Sequence, residues 1–240
     1  MPIIYEPRGK AKEYCSLAAN LYSGCSHGCI YCYAPAMTYK DKMQFHNNPI
    51  PRNSVIASIE KEAPSFKGRE ILLCFTCDPY QQIDVDYGIT RKAIEILHKN
   101  CSYVNILTKG GSRSRRDFDL LSKNKIKSKY GATLTFLDNE DSLKFEPNAA
   151  LPQERIDCLK EAKSLGIETW VSLEPVIKPQ QTLTIIEQTK DFVDMFKVGK
   201  WNHDKEANEI DWKKFARDAV KMLNGYGLKY YIKNDLMKYL

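Results

Sequence analysis

Three cysteines stand within eight residues in "YSGCSHGCIYCYAP": Cys25, Cys29 and Cys32, with His27, Tyr31 and Tyr33 set among them. Thiolates that close can wrap one ion or one corner of a cluster. Structural zinc closes with four ligands, and His27 or His46 would supply the fourth. A 4Fe-4S cluster held by only three cysteines leaves one iron free to bind something else, so its open corner becomes a site for chemistry. Unliganded packing is the third reading, and the interleaved Gly24 and Gly28, which permit sharp turns, count against it.

Further chemistry-bearing residues recur in short polar stretches. Thr76, Cys77 and Asp78 lie in "FTCDP", Lys109 in "LTKGG", Ser172 and Glu174 in "SLEP", and Lys197, Lys200 and Trp201 in "KVGKW". Thr133 and Thr135 alternate with apolar neighbours, so both hydroxyls face one side of a strand, as do Ser172 and Glu174. Lys197 sits in an apolar run and requires a partner for its ammonium, with Glu174 the nearest by topology. Cys77 is a candidate redox thiol. Cys15, Cys101 and Cys158 read as packing residues, and Tyr230 and Tyr231 as core rather than a radical relay.

Each polar stretch ends a short apolar run. The runs are "SLAANLYSG" (16–24), "EILLCFT" (70–76), "YVNILT" (103–108), "GATLTF" (131–136), "IETWVSL" (167–173) and "DMFKVG" (194–199). Amphipathic stretches lie between them, at 87–100, 151–166 and 180–193. Ile156, Leu159, Ala162 and Lys163 keep helical spacing, with Gly166 as a C-terminal cap. Apolar strands alternating with helices predict an α/β fold, a partial (β/α)6 TIM-like barrel of parallel strands with outer helices. The whole of 1–240 reads as one domain. Its core runs from about 16 to 200, with a late helix and a candidate last strand, "LKYYIK", in 211–240. In such sheets ligands sit at the C-terminal strand ends, where the polar stretches fall. Pro79 ends its strand and holds Asp78 at that mouth.

A composition of 43% hydrophobic and 28% charged residues over 240 positions excludes a disordered chain. No run is apolar for long enough to cross a membrane, and no signal pattern opens the sequence, so a cytoplasmic protein with no membrane partner is expected. Eight cysteines there point to metal or catalysis more than to disulfides. The net charge of +6 suits a polyanionic partner without requiring one. Arg113, Arg115, Arg116, Lys123, Lys125, Lys127 and Lys129 gather after the third strand and offer phosphate contacts or a solvated helix face.

The C-x3-C-x2-C spacing, with an aromatic residue, Tyr31, before the third cysteine and a strand directly ahead, resembles the cluster loop of the radical S-adenosylmethionine (SAM) superfamily. "NLYSGCSHGCIYCYA", "FTCDPYQ", "LTKGGSRSRRDFDLL" and "SLEPV", spread over roughly residues 20–200, resemble more narrowly its branch of spore photoproduct lyase and DNA repair photolyase-like proteins. The resemblance implies that Cys25, Cys29 and Cys32 hold a 4Fe-4S cluster whose unique iron chelates SAM. An electron from a flavodoxin or ferredoxin-type reductant would then cleave the C5'–S bond, and a 5'-deoxyadenosyl radical would abstract a substrate hydrogen.

By the same likeness Lys109 contacts SAM, and Thr76 and Asp78 replace the usual "GGE" segment. Tyr31, Thr133, Thr135, Ser172 and Glu174 complete the cofactor site, and Lys197, Lys200 and Trp201 face the substrate. Cys77 stands within the segment beside which the lyase carries its hydrogen-donating cysteine. A nucleic acid is the implied substrate and a small molecule or peptide the alternative. Only 24 residues precede Cys25, which leaves no room for the longer N-terminal region of the lyases. Two other classes stay open: a zinc-stabilised nucleic-acid-binding module, and an iron-sulfur protein indifferent to SAM.

Overall fold

The computed structural model describes residues 2–123 and 127–240. Among the described residues ten strands form two sheets: β1 (Ile4–Tyr5), β2 (Ala18–Ala19), β3 (Tyr22–Ser23), β4 (Ile50–Pro51), β5 (Glu70–Leu73), β6 (Tyr103–Thr108), β7 (Lys129–Thr133), β8 (Glu168–Val176), β9 (Met195–Lys200) and β10 (Tyr230–Ile232). Eight of them make one sheet in the order β1-β2-β5-β6-β7-β8-β9-β10, parallel throughout except for the antiparallel β1 edge, while β3 and β4 pair separately. Helices Val55–Glu62, Ile89–Lys99, Pro152–Ser164, Pro179–Thr189 and Trp212–Gly225 cover its outer face. This is the mostly parallel, partly closed barrel that the strand and helix periods predict, and "LKYYIK" supplies its last parallel strand.

Alternation along the strands divides the side chains between two cores. Ile71, Leu73, Val104, Ile106, Tyr130, Ala132, Val171, Leu173, Phe196 and Val198 point outward and pack under the helices. The other phase lines the lumen, where Leu72, Leu107, Trp170 and Met195 meet Cys15, Ala18, Tyr5 and Tyr14. In-register neighbours carry this phase upward: Thr133 pairs with Ser172, Ser172 with Lys197 and Lys197 with Tyr231. The lumen is therefore apolar at its base and polar toward the C-terminal strand ends.

The first strand departs from its expected span of 16–24, because Asn20 divides it. Its side-chain oxygen accepts the amides of Phe75 and Thr76 at 2.8 and 2.9 Å, and its amide group donates to Tyr5 at 2.8 Å. One side chain thus replaces the ladder where β2 and β5 end. The chain leaves the sheet, pairs as β3 with β4 and enters the cysteine loop; β5 stops at Leu73 for the same reason. At the loop entrance Gly24 has φ +105, and a Cβ there would lie 2.6 Å from the Phe45 carbonyl oxygen.

Candidate active site

The cysteine loop is held by its backbone. The Cys25 amide donates to the Phe45 carbonyl at 3.2 Å, the Ser26 amide to Gln81 Oε1 at 2.8 Å and the Ile30 amide to the Phe145 carbonyl at 2.9 Å. Asn148 donates from its side chain to the Ser26 carbonyl at 3.0 Å. Cys25, Cys29 and Cys32 are free thiols. Burial pushes the Cys29 thiol up to about 12, Glu146 and Cys32 push the same way, and Lys109 opposes them; burial and Cys29 likewise raise Cys25. Lys109 thus lowers both Cys29 and Cys32, while Cys25 is raised by Cys29.

Both histidines have Nδ1 fixed by a backbone carbonyl, and Nε2 of His46 is buried without a partner among the described residues. His27 Nδ1 donates to the Asn148 carbonyl at 3.2 Å, and its Nε2 lies 3.1 Å from Asp78 Oδ2. His46 Nδ1 donates to the Cys25 carbonyl at 2.8 Å. Among the described residues no three His, Cys, Asp or Glu side chains close on a point as the ligands of a single ion do. A cluster spreads its thiolates over separate irons, and a three-thiol donor set fits one with an open corner.

Beside the loop lies a buried network absent from the sequence-based expectations. Tyr31 donates its hydroxyl to Glu146, and Glu146 pairs with Arg155 at 2.5 Å; Glu146 and Arg155 are each only 1% exposed. Arg155 also donates to the carbonyls of Ala150 at 2.7 Å and Thr133 at 3.0 Å. Burial would raise the Glu146 carboxyl, but Arg155 and Lys109 hold it below the usual range. Lys109 Nζ stands 5.6 Å over the Tyr31 ring, and Thr135 Oγ1 lies 3.3 Å from the Tyr31 hydroxyl. The signal was present: Arg155 shares the helical face of Cys158, Leu159 and Ala162, all buried.

Asp78 accepts three hydrogen bonds. Oδ1 accepts the Tyr80 amide at 2.8 Å and the Thr108 hydroxyl at 2.6 Å; Oδ2 accepts the Lys109 amide at 2.6 Å beside His27. Burial favours its neutral form, yet His27 and these donors hold its pKa well below the usual carboxylate range. The carboxylate ties the ends of β5 and β6 to the cysteine loop. Thr76 is half-buried, with its amide on Asn20. Cys77 is buried beside Cys74, whose thiol is raised by burial and by Cys77.

Across the mouth the expected partner of Glu174 changes. Its Oε2 accepts Tyr14 at 2.6 Å and Lys233 at 2.5 Å, and Tyr14 also meets Ser172 Oγ at 2.8 Å. Lys197 instead donates to the carbonyls of Tyr14 at 2.7 Å and Glu13 at 3.3 Å. Gly199 explains the exchange. It stands on β9 between Glu174 and the residue after β10, and a Cβ there would lie 2.7 Å from Glu174 Cδ, so Lys233 reaches across the gap.

Strand phase turns Lys200 away from the lumen, with Nζ 5.1 Å over the Trp212 ring, and Trp201 is buried edge-on to Phe145. Tyr231 is exposed and donates to Glu13 at 3.2 Å rather than joining the core. Cys15 and Cys158 are buried as expected, whereas Cys101 is exposed in a left-handed turn after its helix.

The basic run is largely spent on internal partners. Arg113 donates to the Tyr80 carbonyl at 2.7 Å, Arg115 pairs with Glu161 at 2.8 Å, Arg116 pairs with Asp84, and Lys129 pairs with Glu70 at 2.8 Å. Lys125 lies outside the described residues. Among the described residues no helix is long and apolar enough to cross a membrane.

A mostly parallel partial barrel with a three-thiol loop and a half-buried lysine at its C-terminal strand ends defines an α/β barrel class with its site at one mouth. The chain belongs to the Radical SAM superfamily, whose profile matches residues 19–193. It is 29% identical over 171 residues to an uncharacterized protein of Mycobacterium tuberculosis (strain ATCC 25618 / H37Rv), covering 68% of this chain and 50% of the relative. An uncharacterized protein of Methanocaldococcus jannaschii is 29% identical over 181 residues, with 74% and 67% covered. The chain thus spans about half the length of its mycobacterial relative.

Among solved structures, a spore photoproduct lyase variant with bound AdoMet and dinucleoside spore photoproduct superposes with a TM-score of 0.70 at 13% identity, covering 95% of this chain and 78% of the lyase. Streptococcus suis SuiB bound to S-adenosylmethionine gives 0.68 at 13% identity, covering 92% and 51%. These likenesses are likenesses of fold.

Proposed function

We propose that this chain is a radical SAM enzyme in which Cys25, Cys29 and Cys32 hold a 4Fe-4S cluster and SAM lies between that loop and the lumen face of β6 to β8. The observation that carries the reading is a loop of three free thiols, with Lys109 standing over Tyr31 of that loop, at the ends of parallel strands. When bound, the cluster supplies the electron that cleaves the SAM sulfonium and yields a hydrogen-abstracting 5'-deoxyadenosyl radical.

The chain's own residues bind and orient. Lys109 is the cation for the SAM carboxylate, and Tyr31, fixed by Glu146, is a flat wall beside it. Thr133, Thr135 and Ser172 present hydroxyls to the ribose side. Asp78 works as a positioning residue, since its oxygens are committed to Thr108, Lys109, Tyr80 and His27. Cys77 is the thiol from which a product radical would recover hydrogen. The internal pairing of Arg113, Arg115, Arg116 and Lys129 supports a small molecule or peptide over a nucleic-acid duplex as substrate.

The test is anaerobic reconstitution with iron and sulfide, then reduction with SAM and chromatography for 5'-deoxyadenosine. A brown protein that releases it is expected, and a colourless zinc protein overturns the reading. Cys29→Ala should lose cluster iron. Lys109→Ala should keep it while weakening SAM affinity by roughly 10- to 100-fold, the worth of one hydrogen bond to a charged group.

A further inference from the structure

Lys109, Tyr31 and Thr135 meet on one side of the mouth, whereas the side toward β1 and β5 is aromatic. Three tyrosines from three segments gather there around Phe75, just beyond β5. Tyr14 meets the Phe75 ring edge-on at 5.9 Å, and the Tyr33 hydroxyl donates to the Phe75 carbonyl at 3.4 Å. Tyr5 is joined to Phe75 through Asn20, whose amide group donates to the Tyr5 hydroxyl at 2.8 Å and whose oxygen accepts the Phe75 amide at 2.8 Å. Tyr5, Tyr14 and Phe75 are half-buried, and Tyr33 is 47% exposed. Desolvation nevertheless raises the Tyr33 hydroxyl more than any other cause, and Cys32, Tyr5, Glu174 and Cys77 add to it. A ring so enclosed and still accessible lines a concavity rather than the outer surface.

One carboxylate reaches this concavity. Glu174 Oε2 accepts Tyr14 at 2.6 Å and Lys233 at 2.5 Å, while no donor among the described residues reaches its Oε1. Lys233 and Lys197 also stand 4.5 and 5.1 Å over the Tyr14 ring. Two ammonium groups there repel a cationic ligand, and a free carboxylate oxygen repels an anionic one. The site suits an uncharged group that offers a hydrogen to Oε1.

We propose that this concavity binds the substrate, and that the substrate presents an uncharged aromatic ring carrying one hydrogen-bond donor, a phenol or an indole. The proposal rests on the reaction proposed above and names the class of molecule on which that reaction acts. The ring packs among Tyr5, Tyr14, Tyr33 and Phe75 in the edge-to-face and offset arrangements that such rings prefer, and its O–H or N–H donates to Glu174 Oε1. It then lies between Tyr33, which follows the last cysteine of the loop, and Cys77. A site built to accept that hydrogen rejects a ring that lacks it, because Oε1 is then desolvated and left unpaired.

The probes are N-acetyl-L-tyrosinamide, its phenylalanine and cyclohexylalanine counterparts, p-cresol and thymidine. Each is titrated by ligand-observed NMR onto the reconstituted, oxidised protein with SAM bound. The tyrosine probe should bind most tightly, and the phenylalanine probe about tenfold more weakly for want of its donor. Tyr33→Leu and Phe75→Leu should each weaken the tyrosine probe by about tenfold, while cluster iron and SAM affinity stay within about twofold. Tyr87→Leu, at an exposed tyrosine elsewhere, should change none of these. Glu174→Ala/Lys233→Met removes the ion pair together and should bring the tyrosine and phenylalanine probes level. p-Cresol binding as tightly as the capped amino acid supports a free small molecule, and weaker binding supports a peptide side chain. Cyclohexylalanine binding as tightly as tyrosine overturns the proposal, as does unchanged tyrosine binding in both leucine variants or no binding of any probe. Tighter binding of thymidine also overturns it, since the carbonyls beside its N–H would face the carboxylate. Absence of 5'-deoxyadenosine release would strike the reaction instead, and the binding measurements, made without turnover, would still decide the site.

Discussion

Glu146 and Arg155 form the most deeply buried ion pair beside the cysteine loop, and each also serves a neighbour: Glu146 takes Tyr31, and Arg155 holds two carbonyls. Glu146→Gln leaves the guanidinium buried without its counter-ion and is expected to cost about 3–5 kcal/mol in urea unfolding. Glu146→Gln/Arg155→Met removes both charges and should recover much of that loss; a double variant no more stable than the single would contradict the pairing account. Lys197 carries a pH prediction. Burial pushes its ammonium down to about 8, below the ordinary 10.5 that the unfolded chain retains. Between those values the unfolded state binds more protons, so this group's penalty is fully present below about pH 8 and is relieved as pH rises toward 10.5. Stability measured across pH 8–10 should therefore rise more steeply in the unaltered protein than in Lys197→Met, and identical slopes would remove Lys197 as the cause.

Strands and their glycines decide which of these side chains meet. A methyl group at Gly199 would press on Glu174, so Gly199→Ala is expected to destabilise by about 1–3 kcal/mol and to separate Glu174 from Lys233. Shortening the carboxylate in Gly199→Ala/Glu174→Asp should restore part of the loss in the same denaturation assay. The element pattern was legible because period and burial agree: "YVNILT" became β6 over its full length, and the shared face of Ser172 with Glu174 follows from strand alternation, whereas β7 ends at Thr133, short of Thr135. Legibility failed where one side chain acts at long range. Asn20 ends two strands by bonding amides 55 and 56 positions away, which no local period records. The exchange of Lys197 for Lys233 depends on an absent side chain on the strand between the partners. Arg155 was hidden by its type, since arginine in a helical pattern usually faces water, although its phase placed it among buried neighbours.

At the scale of the whole molecule, the sheet stays open among the described residues, because β1 and β10 end the strand order and no ladder joins β10 to β1 or β2. Segment 9–14 bridges the lumen instead. Glu13 Oε2 accepts the Asn234 amide at 2.8 Å and the Tyr231 hydroxyl at 3.2 Å, Lys10 pairs with Asp235, and Tyr14 reaches Ser172 and Glu174. Lys197 holds the same segment by its carbonyls. The bridge thus fastens the last strand and the polar side of the lumen to the start of the chain. Hydrogen exchange measures such a division directly, because segments fastened by few bonds open with less free energy than the core. Glu13→Ala/Tyr14→Phe removes four of these bonds and should speed exchange of the amides in 230–237 by about tenfold or more, the worth of one or two net hydrogen bonds. Amides of the cysteine loop, tied to Phe45, Gln81 and Phe145, should exchange as before. Equal acceleration in both regions would mean that the bridge supports the entire barrel, and that the two sides of the mouth open as one unit.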